Sequence, residues 1–564
     1  MIKKNAHLLS GVVAGGVAGL LAAAVALGVA QLVAGLTGPQ GSPVVAVGGV
    51  AINLTPVPVK DFVIAHVGTH DKQVLVAGIL LILAAFAALI GVLARRREAY
   101  GVAGLAVFAG LGVAAAITRP NAALADALPA VAGAVVAAFV LLALVRATLG
   151  SPATAGRRFR LAPGFRSRPD GGPDAAAADP ALPGPAAVDP ASIGLGPSAM
   201  APRGSGLSRR PGRRRFLALG AGAAGLAAAS AAGGALLQRR FSIAALRSAI
   251  RLPAPVRPAP PVPAGTELSV PGITPFFTSS SSFYRVDTDI VLPQVSPDQW
   301  VLRVHGMVSR PLEISFDELL RRPLTEADIT LACVSNEVGG HLAGNARWLG
   351  AGLARLLREA GVRSGADQIL STSTEGMTIS TPVAAVIDDP DAMIAVGMNG
   401  QPLPVAHGFP ARMLVPGLYG YVSGTKWVTD LKLTTFASEQ AYWTQRGYTA
   451  RAPIKTFSRI DVPRPLQQIK AGATTIAGIA WAPHRGIDAV EVQIDSGAWQ
   501  QARLASVPST DTWRQWSLPW DATSGLHQLQ VRATDGTGAT QTSARVGPFP
   551  NGATGWDSTA VTVT

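Results

Sequence analysis

One cysteine, Cys333, stands among 564 residues. That scarcity excludes an intramolecular disulfide, a Cys-x-x-Cys-His haem attachment and an iron–sulfur ligand run. Also missing are a Gly-x-Gly-x-x-Gly turn after a strand, a Walker loop, a His-Glu-x-x-His helix and a Gly-x-Ser-x-Gly elbow, which removes dinucleotide, P-loop, zincin and hydrolase chemistry of the usual kinds. No apolar run carries a histidine in its interior, which argues against a bis-His haem within a helix bundle. His66 and His70 lie four apart, in a segment read as an outer loop with solvent-exposed side chains. By residue type alone Cys333, in ITLACVSNEVGG (329–340), is a packed small hydrophobe, a reactive thiol or a ligand, and packing is the commonest fate of a free cysteine.

Charge and aromatic content are scarce in the first half of the chain. Residues 1–240 are dominated by Ala, Gly, Val and Leu, whereas every Trp and most Asp and Glu lie beyond residue 275. The contrast reads as a membrane part followed by a water-facing part. The net charge of +14 is concentrated in the Arg-rich segment 146–215. Basic residues beside apolar spans set membrane orientation, and no aromatic-interleaved basic face accompanies them, so nucleic acid is not the expected partner.

Four apolar runs, 8–36, 74–94, 102–117 and 128–145, approach the roughly 17 to 25 residues that cross a bilayer, and residues 1–150 read as four transmembrane helices. Lys3 and Lys4, Arg95 to Arg97 and the Arg-rich segment all fall on one side, which places the N-terminus in the cytoplasm. Residues 151–207, rich in Pro, Ala, Gly and Asp without periodicity, read as a disordered basic cytoplasmic linker. Over 208–240 a fifth run follows SRRPGRRRFLALG, where Arg213, Arg214, Phe216 and Leu217 fit the core of a twin-arginine signal; an ordinary span with a basic flank is the alternative. Either way the remainder is expected on the extracytoplasmic side of the cell membrane, and a route that carries folded cargo suits a cofactor inserted beforehand.

A Pro-rich tether is expected over 241–270. Beyond it, DQWVLRVHGMV (298–308) alternates as a half-buried strand does, while FDELLRRP and GAGLARLLREAGV have helical spacing with Leu353, Leu356 and Leu357 on one face. Residues 271–450 therefore read as an α+β domain. From 451 to 564 short strands at even spacing (TTIAGIAW, AVEVQID, TWRQWSLPW, HQLQVRAT, STAVTVT) read as an all-β sandwich of immunoglobulin type without its paired cysteines.

FYRVDTDIVLPQV (283–295), WVLRVHGMV, TLACVSNEVGG, GNARWLGAGLARLL, MNGQPLPVAHGFPARMLVPGLYGYVSGTKWV (398–428) and APIKTFSRID (452–461) together resemble the sulfite oxidase family of molybdopterin-dependent oxidoreductases over roughly 270–460. The C-terminal region resembles the immunoglobulin-like domain that follows in that family. The resemblance implies a molybdenum–molybdopterin cofactor with the Cys333 sulfur on the metal. Thiolate is a soft, strongly donating ligand suited to a metal already sharing sulfur coordination. It further implies cofactor-binding roles for Tyr284, Arg285, Asn336, His407, Arg412, Ser423, Gly424, Thr425 and Lys426, with Arg285 as the candidate for polarising a bound oxygen. A guanidinium, an ammonium and glycine-freed backbone N–H groups suit a phosphate tail. Trp348 and Trp427 read as core.

Departures bear on substrate. Glu337 and Val338 follow Asn336 where sulfite oxidases present arginines, and Val396 stands where they carry a tyrosine. A mouth lined by Glu337, Val338 and Val396 disfavours a small dianion, so oxygen-atom transfer involving a sulfoxide-type substrate is expected ahead of sulfite. The rivals are a sulfite dehydrogenase and, from another class, a non-catalytic membrane-anchored surface module. With no haem expected in the chain, electrons would pass to a separate cytochrome or quinone-linked protein; a homodimer through the C-terminal domain is a further expectation.

Overall fold

A computed structural model describes residues 2–56, 59, 71–119, 122–149 and 211–564. The expected linker of 151–207 and the His66/His70 pair lie outside the described residues. Among those described, five helices are long and apolar enough to cross a membrane: Gly11–Thr37, Lys72–Ala94, Glu98–Ile117, Leu124–Leu149 and Arg214–Gln238. The first of them packs against the second, fourth and fifth. Small residues permit this close approach. A methyl group on Gly19 would stand 1.9 Å from the Ala87 carbonyl oxygen, so the first two helices touch backbone to backbone there.

A helix between the first two spans was not expected. Pro43–Leu54 spans 12 residues, begins on a proline whose missing N–H a helix start does not need, and is too short to cross a bilayer. It follows the first span at the end that meets the C-terminal half of the chain, where Tyr442 Oη donates to Asn53 Oδ1 at 3.1 Å.

The segment 241–270 is not a free tether. It forms a short helix, Ala244–Ala249, then a strap laid across both downstream units. Ile243 is buried in a core cluster, Arg247 Nε donates to the Leu403 carbonyl at 2.7 Å, Val256 N donates to the Leu324 carbonyl at 2.8 Å, and Leu268 N donates to Gln515 Oε1 at 2.6 Å. Prolines without N–H groups tolerate such an extended course, since few ladder donors are lost.

Two five-stranded sheets build the α+β region. In one, Leu324–Ala332, Ala343–Gly352, Met393–Met398 and Gln401–Pro402 are neighbours in that order, with Arg412–Leu414 also on Met393–Met398. In the other the order is Leu312–Ser315, Val301–Gly306, Val428–Thr434, Gln368–Ser373, Thr378–Pro382. Val301–Gly306 shows the expected alternation, with Leu302 and Val304 buried and Val301 and Arg303 exposed. Leu353, Leu356 and Leu357 of the helix Leu353–Ala360 enter the same core.

Beyond residue 456 two further sheets enclose a core. Phe457–Val462, Gly472–Trp481 and Arg514–Ala522 lie in one, and Ile487–Ile494, Gly525–Asp535 and Asp557–Val563 in the other. Ile476, Trp516 and Leu518 from the first meet Val490, Leu529, Val531 and Val561 from the second. This unit also buttresses the strand that leads to Cys333. Trp513 N donates to Thr330 Oγ1 at 2.7 Å, and Thr330 N to the Asp511 carbonyl at 2.8 Å.

Candidate active site

Cys333 ends the strand Leu324–Ala332, whose last six residues are all buried, so its side chain emerges from a rigid support. Its N–H donates to the Leu342 carbonyl at 2.8 Å, and its carbonyl accepts from Asn336 N at 3.1 Å. Asn336 Oδ1 in turn accepts from Leu342 N at 2.7 Å, closing the loop. The Asn336 amide nitrogen is buried with no hydrogen-bond partner. Burial raises the Cys333 thiol above its ordinary pKa, so a thiolate here needs a cation to stabilise it.

Tyr284 lies beside Cys333. Burial foremost, with the neighbouring cysteine, raises its phenol well above the ordinary value, so the hydroxyl keeps its proton at neutral pH. Arg412 is buried with 7% exposure, its Nε has no partner, and its guanidinium lies 5.1 Å from the Trp348 ring centroid. Its Nη1 donates to the His407 carbonyl at 3.4 Å. Desolvation lowers it to about 10. A buried guanidinium without a carboxylate is costly unless an anion completes it. Gly424 leaves room for that: a methyl there would stand 3.2 Å from Arg412 Nη2.

Lys426 is nearly buried, 4.8 Å from the Trp427 ring centroid, and desolvation lowers it to about 8 against the opposing pull of Asp287. Its Nζ lies 2.7 Å from Asp287 Oδ2. Arg285 meets the same carboxylate with two bonds, 2.6 Å from Nε and 3.1 Å from Nη2. Around them burial lifts Asp289 to about 6 and Glu375 to about 8, while Asp287, despite its own burial, is held well below the carboxylate range by Lys426, Arg285 and Lys72.

His407 is buried, edge-on to Phe283, and its Nε2 lies 3.0 Å from the Ser280 carbonyl, which fixes Nε2 as the protonated nitrogen. Desolvation, helped by Arg412, lowers it to about 4. Its folded value lies below its unfolded value of about 6.5, so its stabilising contribution is present above pH 6.5 and is lost as pH falls toward 4. The full loss corresponds to roughly 3 kcal/mol. The expected result is that the Tm of wild-type protein falls more steeply over that window than the Tm of His407→Gln; parallel curves would show that His407 is not buried neutral.

The expected site residues therefore divide. Cys333, Tyr284, Asn336, His407, Arg412, Gly424 and Lys426 converge. Ser423 and Thr425 do not present their hydroxyls: Ser423 Oγ donates to the Leu418 and Tyr419 carbonyls at 3.0 and 3.1 Å, and Thr425 Oγ1 meets Ser371 Oγ at 2.5 Å inside the core. Arg285, expected to polarise a substrate oxygen, is held by Asp287. Of the expected mouth only Glu337 is exposed; Val338 is 9% exposed and Val396 fully buried in the main core. Sequence reasoning missed Asp287, Asp289 and Glu375, and took Trp348 and Trp427 as plain core, whereas each also underlies a buried cation. The Asp in FYRVD two residues after Arg285 was the available signal.

A family model described as an oxidoreductase molybdopterin binding domain matches residues 289–443. Mitochondrial sulfite oxidase of Homo sapiens is 28% identical over 308 residues, covering 46% of this chain and 56% of that protein. The uncharacterized oxidoreductase YuiH of Bacillus subtilis is 29% identical over 153 residues, covering 27% of this chain and 74% of its own length. Among solved structures, the sulfane dehydrogenase SoxCD of Paracoccus pantotrophus aligns at 24% identity with a TM-score of 0.45, covering 52% of this chain and 84% of that one. The chain thus spans about half the length of the sulfite oxidases it matches. Residues 289–443 are a molybdopterin-binding oxidoreductase domain. Within that class the chain is similar to the sulfite oxidase family of molybdenum-dependent oxidoreductases.

The residues present fit the cofactor this family implies. Among the described residues no group of three or more His, Cys, Asp or Glu is arranged to hold a metal, so a metal at Cys333 would take its other ligands from a bound organic group. The partnerless Arg412 Nε and Asn336 Nδ2 are buried donors awaiting an acceptor.

Proposed function

We propose that this protein is a membrane-anchored molybdenum oxidoreductase whose catalytic domain lies on the extracytoplasmic side. The observation that carries the reading is the convergence of the buried Cys333 thiol, the protonated Tyr284 hydroxyl and the carboxylate-free Arg412 guanidinium. Cys333 would hold the metal through Sγ, and Arg412, Lys426, Asn336 and the backbone at Gly424 would hold the pterin and its phosphate. When bound, the cofactor supplies two-electron oxygen-atom transfer. The chain's own groups orient and polarise: Tyr284 donates a hydrogen bond to the substrate oxygen, and neutral His407 keeps a further positive charge out of the pocket. The C-terminal unit is an immunoglobulin-like sandwich in this reading, and electrons leave to a separate cytochrome or quinone-linked protein.

A neutral sulfoxide-type substrate suits the site better than sulfite. Arg285 and Lys426 are both drawn onto Asp287, and Glu337 puts an exposed carboxylate on the Cys333 loop. The sulfite oxidase relatives favour the alternative of a sulfite dehydrogenase. Molybdenum and pterin analysis of purified protein, followed by kcat/KM for sulfite and for a neutral sulfoxide across a salt series, tests both the class and the choice. In Glu337→Gln, use of sulfite is expected to improve relative to the sulfoxide by a few-fold at low salt and to converge with wild type at high salt. Absence of molybdenum and pterin would sink the class, and efficient sulfite turnover by wild type would sink the preference.

Export through the twin-arginine route has its own test. With Arg213 and Arg214 both changed to Lys, the first four spans are expected to insert while the catalytic domain stays inside. Protease added to spheroplasts then leaves that domain intact in the variant and digests it in wild type; digestion of both would mean an ordinary fifth span.

A further inference from the structure

The loop that carries Tyr284 and Arg285 is gripped from two directions. From within the catalytic domain, Lys426 pairs with Asp287 Oδ2 at 2.7 Å. From the helix bundle, Lys72, at the start of the second span, pairs with Asp287 Oδ1 and donates to the Asp289 carbonyl at 2.5 Å. Lys72 is separated from Asp287 by 215 positions in sequence. The Asp287 side chain is 4% exposed and is shared by three cations, Lys72, Arg285 and Lys426. Three residues beyond Asp287, Ile290 seats against the short helix Pro43–Leu54 where Gly48 leaves space: a methyl on Gly48 would stand 2.3 Å from Ile290 Cδ1. Arg446 adds a second tie to that helix, donating to the Asn53 carbonyl at 3.2 Å.

A lysine at the end of a membrane span ordinarily extends to the headgroup region. Here it turns into protein and meets a carboxylate that already has two cations. In a nearly buried cluster each charge fixes the others, because the interaction is weakly screened. Without Lys72, Asp287 is left to draw Lys426 and Arg285 toward itself, and the Asp289 carbonyl loses its donor.

We propose that Lys72 is a positioning residue of the cofactor site: through Asp287 it fixes the loop 284–290 and the setting of Lys426, so the transmembrane bundle forms part of the catalytic unit. This rests on the molybdopterin reading of the site for its consequence, and on the Lys72–Asp287 geometry for its cause.

The test uses the full chain, purified in lipid nanodiscs, as wild type, Lys72→Met, Lys72→Arg, Asp287→Asn and the Lys72→Met/Asp287→Asn double variant. Two readouts are taken: hydrogen exchange of the 284–290 amides, and pterin and molybdenum retained per chain after dialysis through a salt series. Loss of one charge-assisted contact at the site is expected to speed cofactor release about tenfold or more. Lys72→Met should show that faster release together with lost amide protection, and Lys72→Arg should restore both. The double variant should be no worse than the poorer single one, since both remove the same coupling. Wild-type protection of 284–290 in Lys72→Met, or effects that simply add in the double variant, would overturn the proposal. Wild type devoid of pterin would overturn the enzymatic reading instead, and hydrogen exchange would still decide whether Lys72 holds the loop.

Discussion

Cys333→Ser is expected to lose turnover to background while folding normally and keeping most of its pterin. Serine is nearly isosteric, and the backbone bonds of residue 333, to Leu342 and Asn336, do not involve the side chain. The substitution therefore leaves the loop in place. What changes is the ligand: a hydroxyl is harder than a thiol and far less acidic, so it neither deprotonates readily beside a buried metal nor matches its preference for sulfur. In the proposed reading pterin retention rests on Arg412, Lys426 and Asn336, which are untouched. The measurement is turnover, molybdenum content and pterin content on one preparation, with circular dichroism as the control for folding. Near-wild-type turnover would show that the thiol is only packing.

Arg412→Met is expected to move the empty and the loaded protein in opposite directions. In the empty protein the guanidinium is buried over Trp348 without a carboxylate, so exchanging it for an apolar chain of similar length is neutral or stabilising by about 1 to 4 kcal/mol. In the loaded protein, on the proposed role of Arg412, the same change would remove a charge-assisted hydrogen bond to phosphate, worth about 1.5 to 3 kcal/mol. That corresponds to about 10- to 150-fold weaker cofactor binding. Thermal melts of cofactor-free and loaded protein, with pterin retained after dialysis, read both signs. A variant that is destabilised when empty and retains pterin normally would mean that Arg412 is a structural cation.

Several features were legible because they depend on local pattern. Long apolar runs mark spans by their length, and the alternation of Val301–Gly306 marks a half-buried strand. The short helix Pro43–Leu54 was not legible, since an apolar run of 12 residues is too short to span and carries no other label. Val396 shows a different failure. Leu349 pairs with Gly397 and Gly350 with Ala395, so Val396 is the extra residue of a β-bulge. A bulge breaks the two-residue period from which a side chain's face is read. Counting positions to a family tyrosine therefore did not say where Val396 points, and its register places it in the core.

The setting of Arg285 was illegible for a third reason. Its guanidinium follows the nearest buried carboxylate, and whether Asp287 is buried depends on Lys72 and Lys426 closing over it from remote parts of the chain. Sequence by itself determined what short-range chemistry can specify: which segments are apolar enough for a bilayer, which alternate as strands, and that a lone cysteine amid these motifs belongs to a molybdopterin domain. Tertiary structure decided which charges meet. Coulombic pairing and desolvation depend on distance and burial in three dimensions, and neither is a property of spacing along the chain.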